Sequence, residues 1–335
     1  MMIRRAARLL LVVGVVGVAA CAGSAKPARP AKAPQTVLAN WRTFARVHGP
    51  VDLAGPRSDR SLVLAAAGRL HLMTPSGAIT SFASGYRGGG GEPYIALPAP
   101  GHRGCSFGKA VYALKLAAPH GVLAVSAGGR VRHVATLAAS GLEDGIAFDE
   151  AGRFGHRLLV TVTASSRTTV YAINCRGRVS TLTTKAPRVE GGIAVAPASF
   201  GAFGGDLIAP DELSGRIYAI TPAGRSILIA TSDLSHGQDV GVESEVFVPH
   251  DRRFRLLLAD RRTPGNPHPG DDLILALTSS QLRSVGVRAG DLLLATEGGA
   301  KVDEVRCRSN GCSVRHVADG PSIAHAEGHI AILPG

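Results

Sequence analysis

Val189-Glu190-Gly191-Gly192-Ile193-Ala194-Val195 sets a carboxylate and a glycine pair before a short apolar run. The run has the length and composition of a buried strand, and the glycines mark a break ahead of it. The same order returns as Glu92-Pro93-Tyr94-Ile95-Ala96-Leu97 and as Glu143-Asp144-Gly145-Ile146-Ala147-Phe148. It returns again as Glu243-Ser244-Glu245-Val246-Phe247-Val248 and as Glu327-Gly328-His329-Ile330-Ala331-Ile332. The five glutamates are spaced 51, 47, 53 and 84 residues apart. A period of about 40–50 residues holding several strands per unit is the signature of a β-propeller.

Strand and turn patterns between these anchors fill in the blades. Thr74-Pro75-Ser76-Gly77 matches Thr221-Pro222-Ala223-Gly224, which makes residues 61–66, 69–74 and 78–83 the second to fourth strands of a blade. Its missing first strand is expected at residues 327–333, so that the C-terminus closes the ring on the N-terminal blade and removes an exposed edge. Three clear blades follow, opened by Glu92, Glu143 and Glu190. Beyond Glu243 the expected order is strands at 246–248 and 255–260, a Pro/Gly loop, a strand at 273–277, a serine-capped helix at 279–287, and strands at 291–296, 302–307 and 313–317. The 84-residue gap before Glu327 spans two ordinary periods, which gives an all-β, six-bladed propeller. Five blades with a large insertion is the alternative, because no glutamate-led strand is visible near residue 285. Tyr171 and Tyr218 occupy the same repeat position and read as packing residues.

Composition supports a folded chain rich in turns: 335 residues, 45% hydrophobic, with 42 Gly and 20 Pro. The formal charge of +12 includes Arg4, Arg5 and Arg8, and falls to +9 without them. The remaining arginines are scattered, and no basic run is interleaved with aromatics, so nucleic acid is not an expected partner. Those three arginines precede an apolar stretch at residues 9–20, the layout of an export signal too short for a confident membrane span. The stretch ends in Val18-Ala19-Ala20-Cys21, which resembles the lipobox of bacterial lipoproteins. That resemblance implies cleavage before Cys21 and lipidation of its thiol, with the domain held at the outer face of the cell membrane. Acyl chains add about 0.8 kcal/mol per buried CH₂, so two or three make a stable anchor. The expected organisation is a signal at 1–21, a tether and lead-in at 22–51 and a monomeric propeller at 52–335.

Export permits disulfides. Cys307 and Cys312 flank Arg308-Ser309-Asn310-Gly311, a spacing that suits a bridge across a hairpin, and Cys105 with Cys175 is the remaining pair.

First strands of a propeller surround a central channel, so the residue opening each one lies at a common mouth. Glu92, Glu143, Glu190, Glu243 and Glu327 therefore form a candidate ring, with Asp211, Glu212, Asp260 and Glu297 beside it. Either each glutamate caps backbone N–H groups of a neighbouring blade, or the converging carboxylates recruit a cation. An oxygen-rich site suits Ca²⁺. His325-Ala326-Glu327-Gly328-His329 would present two imidazoles and a carboxylate on one side of a strand, a Zn²⁺ donor set, unless Gly328 breaks the alternation. Gly104-Cys105-Ser106-Phe107-Gly108 matches a nucleophile elbow in letters only, since a strand and not a helix follows it.

The motifs Glu143-x-Gly-Ile-Ala-Phe and Arg216-Ile-Tyr-Ala-Ile-Thr-Pro-Ala-Gly resemble the group containing NHL-repeat proteins, strictosidine synthase and the gluconolactonase lactonases. The resemblance covers residues 60–333 through blade pattern. It implies, as one alternative, a lactone or ester hydrolase with a metal on Glu190, Glu243, Asp211 or Asp260. Gluconolactonase-like sites also use asparagines, and this chain has only Asn40, Asn174, Asn266 and Asn310, of which Asn266 alone is free to reach the mouth. The favoured expectation is a surface-anchored binding or scaffold protein that presents the channel mouth, with the irregular loop at residues 263–272, to a small molecule or protein.

Overall fold

The computed structural model describes residues 38–99 and 106–335. Cys21 with the expected export segment, and Cys105 with its expected bridge to Cys175, fall outside those residues. The described chain forms six small sheets, each a blade, with inner strands of successive blades side by side around one axis.

The sequence of the middle strands explains the packing. Leu62-Val63-Leu64-Ala65-Ala66 is apolar at every position because successive side chains point to opposite faces and both faces are covered. Leu62, Leu64 and Ala66 enter a cluster shared with the sixth blade, whereas Val63 and Ala65 enter one shared with the second. Leu256 and Leu258 likewise point one way and Leu257 and Ala259 the other. Six buried clusters result, one in each wedge between neighbouring blades. Tyr171 and Tyr218 belong to these clusters, as their repeat position predicts.

Blades two, three and four run outward in chain order from Ile95–Ala96, Leu142–Phe148 and Ala194–Val195. Ring closure differs from the sequence expectation. The first strand of the N-terminal blade is Pro50–Ala54, paired with Leu62–Ala66, and not the C-terminal segment. Ala326–Pro334 instead pairs with Phe254–Asp260 as the inner strand of the sixth blade, beside the first. The fifth blade is split around it. Its inner strand Val242–Phe247 pairs with Leu292–Thr296, so Phe254–Asp260 does not continue that blade, as local order suggested. The chain leaves to build two strands of blade six, Phe254–Asp260 and Leu273–Thr278, then returns. The helix Ser279–Ser284 makes that return, capped by Thr278 in a reciprocal box with Gln281 and not by a serine.

The expected lead-in is woven into the propeller. Arg42–Arg46 forms the outer strand of blade six, and Ala39–Asn40 pairs in parallel with Gly311–Asp319 at the edge of blade five. Trp41 is buried between them, its indole N–H donating to the Ala300 carbonyl at 2.9 Å. Cys307 and Cys312 face each other across the outer hairpin of blade five and are bridged.

Deleting residues 326–335 should abolish cooperative thermal unfolding in calorimetry, because the ring loses an inner strand. Deleting residues 38–46 removes two outer strands with the buried Trp41, about 3–5 kcal/mol for that side chain alone, and should lower Tm by about 6–20 °C with the transition kept cooperative, at about 2–4 °C per kcal/mol.

Candidate functional site

Each of the six inner strands brings at least one carboxylate on it or just before it. Glu92, Glu143, Glu190, Glu243 and Glu327, with Glu297, line a single pocket of about 240 Å³ at one mouth of the channel. Asp144, Glu212, Asp239 and His325 line it too. The inner strand of blade one contributes Asp52, which lies deeper on the axis and is fully buried. β-Bulges re-aim these residues: the pairing register shifts between Pro50 and Asp52, between Glu143 and Gly145, and between Val242 and Ser244.

The glycine pair of the opening stretch has a specific task here. Gly191 has φ +87°, and a Cβ on it would lie 2.3 Å from the Glu243 carbonyl oxygen. Gly192 N–H donates to that same oxygen at 2.7 Å. Blade four is thus seated on the backbone of Glu243, which only glycine permits.

The glutamates find side-chain partners. Glu190 pairs with Arg188, and Glu92 accepts from Arg261 at 2.5 Å, an arginine that also reaches Glu327 at 3.3 Å. The Tyr94 hydroxyl donates to Glu243. His120 stands 3.8 Å from Glu143. Capping of neighbouring backbone falls to Asp52, which accepts from the N–H groups of Leu53, Ile95 and His329 at 2.8, 2.6 and 2.7 Å and so ties three blades together.

Two candidates stand outside the pocket. Asp211 folds its carboxylate back on its own turn, accepting from Leu213 N at 3.3 Å and from the Ser214 hydroxyl. Asp260 is buried and accepts from His325 N at 2.9 Å, so it positions the histidine without reaching the mouth. Asn266 does not reach it either, its side-chain oxygen accepting from His268 N at 2.7 Å within its own loop.

The stretch His325-Ala326-Glu327-Gly328-His329 splits at its glycine. Gly328 has φ +67°, with room for no Cβ, since one would sit 2.4 Å from the Val51 carbonyl. His325 and Glu327 therefore face the mouth, whereas His329 turns inward and sets Nδ1 3.0 Å from Asp52. The two-histidine donor set does not form. Glu297 takes the third place: ligand atoms of Glu297, His325 and Glu327 lie within 4.8 Å of one another. His325 Nε2 is 3.0 Å from Glu297 Oε1 and 3.2 Å from Glu327 Oε1.

Crowding and burial shift these groups strongly. Burial, with the His325 bond and charge opposing it, holds Glu297 at about 8 and Glu327 at about 7. Burial likewise pushes Glu143 to about 7 and Asp144 to about 8. Glu243 is raised by burial and by the charges of Glu297 and Glu327. Burial disfavours the His325 cation, yet its bonds to Glu297 and Glu327 outweigh this and raise it to about 10.

Asp52 escaped the sequence reading because Pro50-Val51-Asp52-Leu53-Ala54 has an aspartate and no glycine, and its place was given to the C-terminal strand. Tyr94, inside a quoted repeat, is a mouth residue whose partner no spacing could reveal.

The sequence matches no family model and no curated protein. Solved structures of similar fold include virginiamycin B lyase from Staphylococcus aureus, 13% identical over 81% of this chain and 70% of that one, TM-score 0.45. A protein of unknown function from Bacteroides thetaiotaomicron is 13% identical over 87% of this chain and 66% of its own, TM-score 0.50. A putative gluconolactonase is 11% identical over 71% of this chain and 91% of its own, TM-score 0.36. At these identities the likeness is one of fold alone.

The raised acids make stability depend on pH in one direction. Their neutral forms favour the fold below the ordinary carboxylate range, and that contribution is lost as pH rises through about 7 to 8. His325 acts in the same sense, its contribution lasting until about 10. Thermal unfolding of metal-stripped protein should therefore show a higher Tm at pH 5 than at pH 8, and Glu297→Gln should flatten the difference.

Proposed function

We propose that this chain is an exported, lipid-anchored binding propeller whose acidic mouth takes up a divalent cation on Glu297, His325 and Glu327. One observation carries the reading: three donor atoms from two neighbouring blades converge within 4.8 Å on a pocket ringed by further carboxylates. Oxygens of Glu143, Asp144 and Glu212 in that pocket are buried without a hydrogen-bond partner, a costly state that a cation with its waters relieves. Size favours an ion over a substrate, because about 240 Å³ is below the range of about 300–1,000 Å³ usual for small-molecule sites. The imidazole shifts the preferred ion from Ca²⁺ toward Zn²⁺ or Mn²⁺, since Ca²⁺ takes oxygen ligands. Anchoring rests on the sequence leading to Cys21.

Metal-dependent lactone or ester hydrolysis is the second reading, favoured by Glu243, a buried acid hydrogen-bonded to Tyr94 on the same pocket. Metal-dependent turnover of a simple lactone, lost in Glu243→Gln, would select it.

Calorimetric titration of metal-stripped protein with Zn²⁺, Mn²⁺ and Ca²⁺ should give one saturable site that His325→Ala abolishes. Affinity should rise between pH 6 and 8 by about tenfold per pH unit for each proton displaced. No heat and no thermal shift with any of the three ions would end the proposal.

A further inference from the structure

Inner strands run from the acidic mouth to the opposite end of the channel. The links that follow them, and the hairpins between third and fourth strands, therefore lie at that opposite end. These connections contain Arg57, Arg60, Arg130, Arg178, Arg252 and Arg253. Scattered in sequence, the arginines share one end of the propeller. At the acidic mouth, Arg188 and Arg261 are instead taken up by Glu190 and Glu92.

A cavity of about 530 Å³ opens within the basic end, where blades five and six meet. Val248, Phe254, Leu282 and Val287 give it a buried, apolar floor. Arg252, Arg283 and Arg288 stand exposed around that floor, with Asp251 as the one carboxylate among the lining residues. Arg283 donates to the Arg252 carbonyl at 2.8 Å and to the Ser279 hydroxyl at 3.3 Å. None of the three guanidinium groups pairs with a carboxylate among the described residues. Pro249 and Asp251 also line the adjoining channel mouth, a cavity of about 510 Å³ walled by Leu53, Ile95, Ile146, Ile193 and Ile330 with Glu245. Apolar surface ringed by unpaired cations matches the boundary between lipid headgroups and acyl chains.

The described chain begins beside the helix that lines the first of these cavities. Leu38 precedes Ala39–Asn40, and the Gln281 side chain donates to the Asn40 carbonyl at 2.8 Å. Residues 22–37, which join that strand to Cys21, include Lys26, Arg29 and Lys32 and no acidic residue. A proline-rich link of that length reaches at most about 50 Å, at about 3.1 Å per residue.

We propose that this basic face rests on an anionic lipid bilayer, with Arg252, Arg283 and Arg288 taking phosphate headgroups. The proposal rests on the reading of the chain as anchored at a membrane, which selects a bilayer over a soluble polyanion. Planar guanidinium groups grip phosphate oxygens in pairs. Attraction at the basic end and repulsion at the acidic end then turn the acidic mouth away from the membrane, toward solvent.

Residues 37–335 form a compact unit that holds all six blades, so the chain from residue 22 serves as a test protein without acyl groups. It should cosediment with vesicles of equal parts phosphatidylcholine and phosphatidylglycerol, not with phosphatidylcholine alone, and high salt should release it. Arg252→Glu, Arg283→Glu and Arg288→Glu together should weaken binding by at least about tenfold, and Gln at the same three positions by less. A charge-matched control at the acidic end, Arg167→Glu, Lys185→Glu and Arg216→Glu, should keep the affinity within about twofold, since screening removes distant charges. Equal binding to both vesicle types, no binding to either, or equal losses in the two Glu sets would overturn the proposal. So would capture of heparin, lost in the Arg252 set, without any vesicle binding. The mass of Cys21 in protein recovered from cells reads the anchor separately. Absent acyl chains with phosphatidylglycerol binding intact would refute the anchor and keep the lipid contact.

Discussion

The hydrogen-bonded pairing of Ala326–Pro334 with Phe254–Asp260 is the contact on which the molecule depends. It completes blade six between blades five and one, and so turns a row of sheets into a ring. The same strand delivers Glu327 to the acidic mouth and His329 to the channel interior. Gly328 makes both orientations available in adjacent turns of chain, because its positive φ seats the backbone against Val51 and Asp52. Closure and site assembly are consequently one event. A chain that has not yet placed its last ten residues has no converging donors at the mouth.

Burial on both faces leaves polar groups few places to go. The middle strands are apolar throughout, and their side chains fill the wedges between blades. Carboxylates are therefore displaced to the ends of the inner strands, where bulges turn them toward the axis. The two mouths diverge from there. One concentrates carboxylates in a small volume, and the other is walled by aliphatic side chains around Glu245. Asp52 and His329 separate them, joined by a hydrogen bond and tied to the backbone of three blades. The +12 charge of the chain as a whole gives no hint of an acidic centre, since most of the described arginines are exposed.

Much of this was legible in the sequence, and the losses have physical causes. A carboxylate, a glycine break and a short apolar run repeat because every inner strand faces the same problem, and five of the six were readable. Blade count followed from their spacing. Ring closure did not, because strand partners far apart in sequence leave no periodic trace. Pro50–Ala54 and Ala326–Pro334 are both apolar enough to serve as a first strand, and only three-dimensional pairing separates them. The split of blade five escaped for the same reason. At the site, Glu297 was placed near the ring by topology, but its meeting with His325 and Glu327 depends on a crossing between blades. Asp211 and Asp260 resembled ring members until their backbone partners became visible.

The central claim is that closing the ring assembles a cation site from blades five and six. Anomalous diffraction at the zinc edge from crystals grown with Zn²⁺ tests it most directly. A single peak about 2.0–2.2 Å from donor atoms of Glu297, His325 and Glu327 is the predicted result. A map with no peak at that mouth, or with zinc held only by surface histidines, would contradict it.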